Sequence, residues 1–274
     1  MVSLVWIARL NARAAPSRFS RSANPLGLRD TASEASKNRS VSCDNDATRP
    51  PEIEPATPLA APLARSGQAA PAIVFADDAI IVIHKPPGLL AVPGRLDADC
   101  AWSRVATTHA DALVVHRLDQ ATSGLMVLAR DAAVQRRLSI AFATRQVDKG
   151  YEAIVHGLVA DDEGRIEAPL IADWPRRPRQ CVDLVRGKPA CTRWQVRARH
   201  VDTGRTRLRL VPETGRTHQL RVHLASIGHP ILGDALYGGE TADLAPRLLL
   251  HATRLAFDHP RHGARCVFES PAPF

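Results

Sequence analysis

After Ala72 the chain contains short apolar runs and segments in which apolar and polar residues alternate with a period of two, which predicts a protein built mainly from β-strands. The predicted strands are residues 73–75, 80–83, 151–155, 205–211, 248–250 and 255–257. The first two flank a turn at Asp77 and Asp78, and Lys85 with the following Pro-Pro-Gly ends the second strand sharply. Residues 205–211 alternate basic and apolar side chains, so this strand is expected to present a basic outer face.

Two other segments have the period of an amphipathic helix. Asp131 can cap a helix whose apolar stripe runs from Val134 to Phe142, and Thr217 can cap a second helix that Gly228 ends. Strands outnumber helices and follow one another without regular helical crossovers. This order favours an α+β fold with a mixed, largely antiparallel sheet over a doubly wound fold.

Residues 1–70 differ in composition from the rest of the chain. They are rich in Pro, Ser, Ala, Asn and Thr without sustained apolar periodicity, so we expect a disordered N-terminal extension and a folded domain over residues 71–274. Five arginines precede the first acidic residue, Asp30. Such a start is typical of an organellar transit peptide, and also of an over-extended start codon in a GC-rich bacterial gene. The Ala- and Arg-rich composition continues to the C-terminus, which favours the second explanation.

The net charge of +8 and the pI of about 9.8 suit an anionic partner, although an Arg-rich proteome gives the same excess. The five cysteines are scattered, with no Cys-x-x-Cys pair. Their odd number and spacing argue against a disulfide framework or a zinc ribbon and favour a reducing compartment. No apolar run approaches the ~18 residues of a membrane span.

One carboxylate, Asp119, lies beside Arg117 in a turn between the apolar runs 113–115 and 125–129. Without a second ligand nearby, Asp119 is poorly placed to bind a metal ion, but it is well placed to act on a group brought into a cleft. It therefore suits a nucleophile or a base. The competing interpretation is a turn aspartate that caps a backbone amide.

Two further segments carry candidate chemistry. Tyr151, at the start of a strand, can stack on a planar ring, or it can be an ordinary half-buried aromatic residue. In the segment 214–223, polar groups crowd the first turns of a short helix, where free amides favour anions. His218 and His223 are five residues apart, so a zinc site is not expected. Arg221 can pair with a buried carboxylate or lie on a solvated face.

The segment 174–193 is strongly basic, and Asp183 is its one acidic residue. Trp174 and Trp194 lie at its edges. Its basic residues are Arg176, Arg177, Arg179, Arg186, Lys188 and Arg193. This composition suits a nucleic-acid backbone, and the alternative is a solvated loop.

The motifs of several enzyme classes are absent: a Gly-x-Gly-x-x-Gly after a strand, a P-loop, a Gly-x-Ser-x-Gly elbow and a metal-ligand cluster. Two classes remain. One is a cofactor-free enzyme that uses one carboxylate on a large anionic substrate, and the other is a non-catalytic RNA-binding module.

Residues 116–119, followed by Thr122, Ser123 and Gly124, resemble the signature of the RluA-type family of RNA pseudouridine synthases. The resemblance continues in order through residues 85–88, Tyr151, 215–223, 228–234 and 249–252. It covers residues 72–274. Finer similarities at 89–95, 172–178, 187–190 and 246–250 favour the dual-specificity subfamily, which acts on 23S rRNA and on the anticodon stem-loop of certain tRNAs.

The resemblance implies the pseudouridine synthase fold, with an active-site cleft across the sheet, and isomerisation of uridine to pseudouridine without a cofactor or a metal ion. The implied site residues are Asp119, Tyr151, Arg221, Arg117, Leu250 and Lys85. Asp119 is the essential carboxylate, Tyr151 stacks on the extruded base, Arg221 pairs with Asp119, and Arg117 fills the gap left in the RNA. Leu250 and Lys85 line or brace the pocket. The implied RNA-binding residues are Arg176, Arg177, Arg179, Lys188, Arg216 and His218.

The expected protein is a cytoplasmic monomer that acts on RNA and has no membrane partner. Two alternatives stay open from sequence alone. One is an organellar synthase with a different RNA target, and the other is a catalytically idle RNA-binding paralogue. Whether Asp119 adds to the sugar or removes a C2′ proton also stays open.

Overall fold

A mixed ten-stranded sheet dominates the computed structural model, which describes residues 70–95 and 97–274. In chain order its elements are β1 (Ala72–Ala76), β2 (Ile80–Lys85), α1 (Ala101–Ala106), β3 (Leu113–Val114), β4 (Ser123–Ala129), α2 (Ala132–Ala143), β5 (Asp148–His156), β6 (Glu163–Glu167), β7 (Leu170–Ala172), β8 (Gln180–Val182), β9 (Cys191–His200), β10 (Arg205–Pro212), α3 (Gln219–Ser226), β11 (Leu250–Asp258) and β12 (Arg265–Glu269). Two short 3₁₀ turns, Trp174–Arg176 and Gly239–Leu244, lie in the connections.

The strand order is β1-β2-β4-β11-β5-β10-β9-β6, with β3 paired to β4 and β12 paired to β11. Within the described residues, every strand pairing is antiparallel except that of β4 with β11. Strands β7 and β8 form a separate hairpin. The expected α+β class with a mixed, largely antiparallel sheet is therefore confirmed.

Strand β4 is buried at every position, because other elements cover both faces of the sheet there. Val127 packs with Val134 and Leu138 of α2 on one face, and Met126 packs with Val105 of α1 on the other. A second part of the core joins β5, β10 and α3 through Ala153, Val155, Leu208, Leu210, Leu220 and Leu224. The loop that precedes β4 therefore ends at a firmly packed strand.

Several predicted elements are confirmed: the strands at 73–75, 80–83, 151–155 and 205–211, and the helix after Asp131. The Asp131 carboxylate accepts a hydrogen bond of 2.7 Å from the Val134 amide. Thr217 does not cap α3, because the N-cap residue is His218, in the left-handed region with φ 55° and no capping side chain. Strand β11 contains the whole of the second predicted closing strand but only Leu250 of the first, because residues 248–249 precede it. The expected extension lies almost wholly outside the described residues.

Candidate active site

Asp119 lies in the loop between β3 and β4, at the wall of an open pocket of about 110 Å³. Its side chain is 22% exposed, so the carboxylate is accessible from the pocket and still held by protein. The Thr122 amide donates to the Asp119 carbonyl at 3.1 Å, which closes the turn, and the neighbouring Leu118 is buried beneath it. The competing interpretation of an aspartate that caps an amide with its side chain therefore finds no support among the described hydrogen bonds.

Four parts of the chain meet around this pocket. Tyr151 comes from β5, Leu250 begins β11, Arg221 comes from α3, and Arg216 comes from the loop before α3. The sequence separates these residues from one another and from Asp119 by up to 131 positions (250 − 119). The fold therefore brings Tyr151, Leu250 and Arg221 to the same pocket as Asp119.

Arg221 is buried and contacts two carboxylates. Its Nη1 lies 3.5 Å from Oδ2 of Asp119, at the limit of a hydrogen bond. Its Nε and Nη2 donate to the two carboxylate oxygens of Asp234 at 2.8 and 2.6 Å. This bidentate pair is the tighter contact, so Asp234 fixes the guanidinium and the guanidinium then faces Asp119. The expected pairing with Asp119 is present but secondary, and Asp234 was not assigned a role from sequence.

Tyr151 is half-buried in β5, opposite Ala252 of β11. Burial, and then the negative charge of Asp119, raise the pKa of its phenol far above the ordinary value. The hydroxyl therefore stays protonated and can serve as a donor at neutral pH. Leu250, 3% exposed, gives the pocket an apolar wall.

Lys85 is fully buried beneath the loop and does not line the pocket. Its ammonium donates to three carbonyls, those of Pro86 at 2.8 Å, Leu89 at 2.7 Å and Gln120 at 3.0 Å. Burial lowers its pKa to about 8, against the opposing effect of the Asp119 charge. Of the two roles open from sequence, lining or bracing, the geometry fits bracing.

His218 lies inside the pocket and not on a surface that is open to phosphates, because its side chain is only 11% exposed. Its Nε2 lies 4.0 Å from Oδ1 of Asp119. Burial lowers the pKa of its imidazole, with the Asp119 charge acting in the opposite sense. From the sequence His218 is expected among the RNA-binding residues, and the structure places it inside the pocket beside Asp119. Arg216 and Arg117, by contrast, are exposed where they line the pocket.

The basic segment 174–193 includes the connection from β7 to β8, strand β8, the turn after it and the first residues of β9. It contacts the pocket wall, because Arg216 donates to the carbonyl of Pro189 at 3.1 Å. Arg176 pairs with Asp173 at 2.7 Å, and the Arg177 guanidinium lies 3.2 Å from the centre of the Trp174 ring. Arg179 donates to the carbonyl of Leu236. Lys188 is exposed and forms an isolated antiparallel β-bridge with Leu170.

A larger basic groove of about 930 Å³ adjoins the pocket, with Lys149 and Pro212 lining both. Its basic residues are Arg145, Lys149, Arg165, Arg193, Arg209 and Arg254, and its acidic residues are Asp148, Glu163 and Glu213. Glu213 pairs with Arg165 at 2.9 Å and with Arg193 at 3.0 Å. Two of its arginines are expected from the sequence, Arg193 in the basic segment and Arg209 on the basic face of its strand, but the groove that joins them is not.

Within residues 70–95 and 97–274, no three His, Cys, Asp or Glu side chains are grouped as a metal site. In the same part of the chain, no helix has the length and apolar character needed to cross a bilayer.

Comparison with known proteins identifies a family. The family model for RNA pseudouridylate synthase matches residues 79–226. The dual-specificity RNA pseudouridine synthase RluA of Escherichia coli (strain K12) is 46% identical over 205 residues, which cover 74% of this chain and 93% of that protein. The enzyme of the same name from Vibrio parahaemolyticus is 49% identical over 203 residues, which cover 72% of this chain and 81% of that protein.

Solved structures agree with this result. Human RNA pseudouridylate synthase domain containing 1 superposes with a TM-score of 0.64 at 26% identity, over 74% of this chain and 84% of the human chain. Human RNA pseudouridylate synthase domain containing 4 gives a TM-score of 0.59 at 26% identity, over 74% and 88%.

Proposed function

Because the chain belongs to the RNA pseudouridylate synthase family, we propose that Asp119 is its catalytic carboxylate and that its substrates are uridines in 23S rRNA and in the tRNA anticodon stem-loop. The observation that carries the proposal is the position of Asp119 in an open pocket between Tyr151, Leu250 and Arg221. The dual specificity is supported by the names of the relatives that are 46–49% identical.

The reaction replaces the bond between N1 of uracil and C1′ of the sugar with a bond between C5 and C1′. The N1–C1′ glycosidic bond breaks, the uracil turns within the site, and C5 bonds to C1′. C5 then loses its proton and N1 gains one, so the reaction is an isomerisation. No group is imported and nothing is oxidised, so we propose that the chain works without a cofactor or a metal ion. Asp119 acts as an anion, either by adding to the sugar at C1′ or by removing a C2′ proton. Uracil leaves as a delocalised anion, which relieves the need for the second carboxyl group of a glycosidase.

The target uridine has to leave its stack to reach Asp119, which costs a few kcal/mol. In this proposal the Tyr151 ring stacks on the extruded base and Leu250 covers its other side. Arg221, held by Asp234, orients the Asp119 carboxylate. Arg117, exposed at the pocket, fills the gap that the uridine leaves in the RNA.

The phosphates of the RNA bind to the basic surfaces beside the pocket. The exposed Arg176, Arg177 and Lys188 of the hairpin region lie on one of these surfaces, together with the half-buried Arg179. The groove that contains Lys149 and Arg209 supports a longer contact, because it opens directly from the pocket. Such contacts make binding depend steeply on salt concentration.

Asp119→Asn tests the catalytic assignment. We expect pseudouridine formation, measured by tritium release from 5-³H-uridine RNA, to fall at least about 10³-fold, because the amide cannot act as a nucleophile or base. RNA affinity should persist, because the phosphate contacts remain. Asp111→Asn is the control, since Asp111 is exposed and pairs with Arg130 at 2.8 Å outside the pocket. Activity retained by Asp119→Asn would rule out the assignment, and an inactive wild-type protein would favour the idle paralogue.

A gene deletion tests the substrates and the proposed cytoplasmic location. Pseudouridine mapping of rRNA and tRNA from the deleted strain should reveal uridines in 23S rRNA and in an anticodon stem-loop that regain the modification when the gene is restored. Loss of modification confined to organellar RNA would instead support the organellar alternative. Size-exclusion chromatography of the full chain tests the proposed monomer.

A further inference from the structure

Tyr237 lies between α3 and β11 and joins the hairpin β7–β8 to the pocket that holds Asp119. Its hydroxyl accepts a hydrogen bond of 2.8 Å from the backbone N–H of Gln180, the first residue of β8. The same oxygen lies 2.7 Å from Nδ1 of His218. One phenol group therefore connects an outlying hairpin with a residue of the pocket.

These two contacts favour one position for the proton of the neutral His218 ring. The Gln180 N–H is a donor, so among the described hydrogen bonds of the Tyr237 hydroxyl, Nδ1 of His218 is the acceptor for the phenol proton. Nδ1 is then an acceptor, and the neutral ring carries its proton on Nε2, the nitrogen that faces Asp119 at 4.0 Å. A distance of 4.0 Å is too long for a hydrogen bond, so this N–H remains available to a group bound in the pocket.

The same segment also holds the other basic group that faces Asp119. The Tyr237 ring lies 5.1 Å from the Arg221 guanidinium, and the Tyr237 amide donates to Oδ1 of Asp234 at 3.1 Å. Asp234 in turn binds Arg221 at two points. Displacement of Tyr237 would therefore disturb both His218 and Arg221.

The hairpin side of Tyr237 is equally well connected. The Arg179 guanidinium lies 5.6 Å from the centre of the ring and donates to the carbonyl of Leu236. Arg179 immediately precedes Gln180, so the arginine turn of the hairpin and the N–H that holds the phenol belong to one short segment.

We propose that Tyr237 is a positioning residue that couples the docking of RNA on the hairpin β7–β8 to the active site, by holding His218 as the Nε2–H tautomer beside Asp119. This inference rests on the proposed function. RNA phosphates that bind the hairpin keep Gln180 and Tyr237 in place, and His218 and Arg221 then face the carboxylate in the arrangement required for the reaction.

Tyr237→Phe tests the inference, because it keeps the ring that packs on Arg221 and removes only the hydroxyl. We expect the single-turnover rate of pseudouridine formation to fall about tenfold, while the Kd for the same RNA stays within about twofold. Thr241→Val is the matched control. It removes a hydroxyl from the same segment, one that donates to the Gly238 carbonyl at 2.9 Å.

The ¹⁵N chemical shifts of the His218 ring give a readout that does not depend on activity. In the wild type, Nδ1 should be unprotonated. In Tyr237→Phe the neutral ring loses a hydrogen bond, so His218 should become protonated at a higher pH than in the wild type. The charged groups that face His218 are Asp119, Arg117, Arg221 and Asp234, and they are the same in both proteins.

His218→Asn separates positioning from simple packing, because the shorter amide tolerates the left-handed backbone and does not place an N–H at the position of Nε2. If Tyr237 acts through His218, then Tyr237→Phe should slow the His218→Asn protein by less than twofold. Full additivity would contradict the inference, as would an unchanged rate with an unchanged tautomer or an equal loss in Thr241→Val. A wild-type protein that makes no pseudouridine in the same assay would contradict the proposed function instead.

Discussion

At the scale of single residues, the loop that carries Asp119 depends on one buried ammonium group. Lys85 reaches across from the end of β2 and binds the carbonyl of Gln120, the residue after Asp119, together with those of Pro86 and Leu89. Burial of a lysine ammonium in a core is unfavourable because the charge loses its hydration, and hydrogen bonds to three carbonyls offset that loss. Lys85 therefore connects two loops and supplies a donor to the Pro86 and Leu89 carbonyls. The Gln120 carbonyl also accepts from the Gly88 amide at 2.9 Å.

Lys85→Met should destabilise the protein by about 2–4 kcal/mol, because the thioether fills much of the space and leaves the Pro86 and Leu89 carbonyls without their ammonium donor. Chemical denaturation measures the free energy of unfolding. Lys188→Met makes the same replacement at an exposed position and should change that free energy by less than about 0.5 kcal/mol. Equal stability of the two variants would show that Lys85 does not brace the loop.

The sequence was sufficient to identify the residues around the pocket but not all of their contacts. Asp119, Tyr151 and Leu250 were expected together because ordered motifs carried them, and the fold places them at one pocket. The ion pair of Arg221 with Asp234 was not expected. No local rule connects an arginine with an aspartate 13 residues away across the end of a helix, because their meeting depends on tertiary packing.

At the scale of secondary structure, the prediction located strands that have apolar runs or alternating sequences. Strands β1 and β2 contain apolar runs, and β5 and β10 alternate. Strands β6, β9 and β12 were missed, because polar and basic residues occupy most of their exposed positions, and β8 was missed because it is only three residues long. The closing strands were divided in two where β11 has an irregular register between Ala252 and Arg254.

The junction of β4 with β11 depends on the absence of a side chain at Gly124. Its φ is 117°, and a Cβ atom there would lie 2.4 Å from the carbonyl oxygen of Ala252 on the paired strand. Gly124→Ala should therefore cost about 3 kcal/mol or more in stability, because steric overlap adds to backbone strain.

Gly263→Ala is the control for Gly124→Ala, since Gly263 also has a positive φ, 75°, but open space around its Cβ position. Gly263→Ala should lower the free energy of unfolding by only about 1 kcal/mol. Thermal unfolding of the two variants gives the comparison, and equal midpoints would mean that the junction accommodates a methyl group.

At the scale of the whole molecule, the net charge of +8 is concentrated in part where RNA is proposed to bind. The groove beside the pocket gathers basic residues from β5, β6, β9, β10 and β11 and from the turn after α2. These residues are scattered along the sequence, so composition indicated an anionic partner but could not locate its binding surface.

Arg209→Gln should weaken RNA binding and reduce the slope of log K against log salt by about 1, because one phosphate contact is lost. Arg209 is exposed and lines the groove. Arg136→Gln removes an equal charge from the exposed face of α2, outside the groove, and should leave the slope unchanged. If both variants lower the slope equally, RNA binding depends on the overall charge of the protein and not on the groove.

Acid should destabilise the whole fold through two histidines that the structure holds neutral. Nε2 of His116 accepts from the Val127 amide at 3.1 Å, and burial, followed by the charge of Lys149, lowers its pKa to about 3. His251 lies 2.8 Å from the Ser123 hydroxyl, and burial, followed by the charges of His84 and Arg247, lowers its pKa to about 4.

Both pKa values lie below the ordinary 6.5, so below pH 6.5 the unfolded chain binds protons that the native state does not bind. The free energy of unfolding therefore falls as the pH drops from 6.5 toward 4. Each histidine adds a slope of up to about 1.4 kcal/mol per pH unit in that window and none above it. Urea denaturation from pH 8 to pH 4 measures the slope, and His251→Gln should reduce it by about one proton. An unchanged slope would show that His251 takes up its proton in the native state.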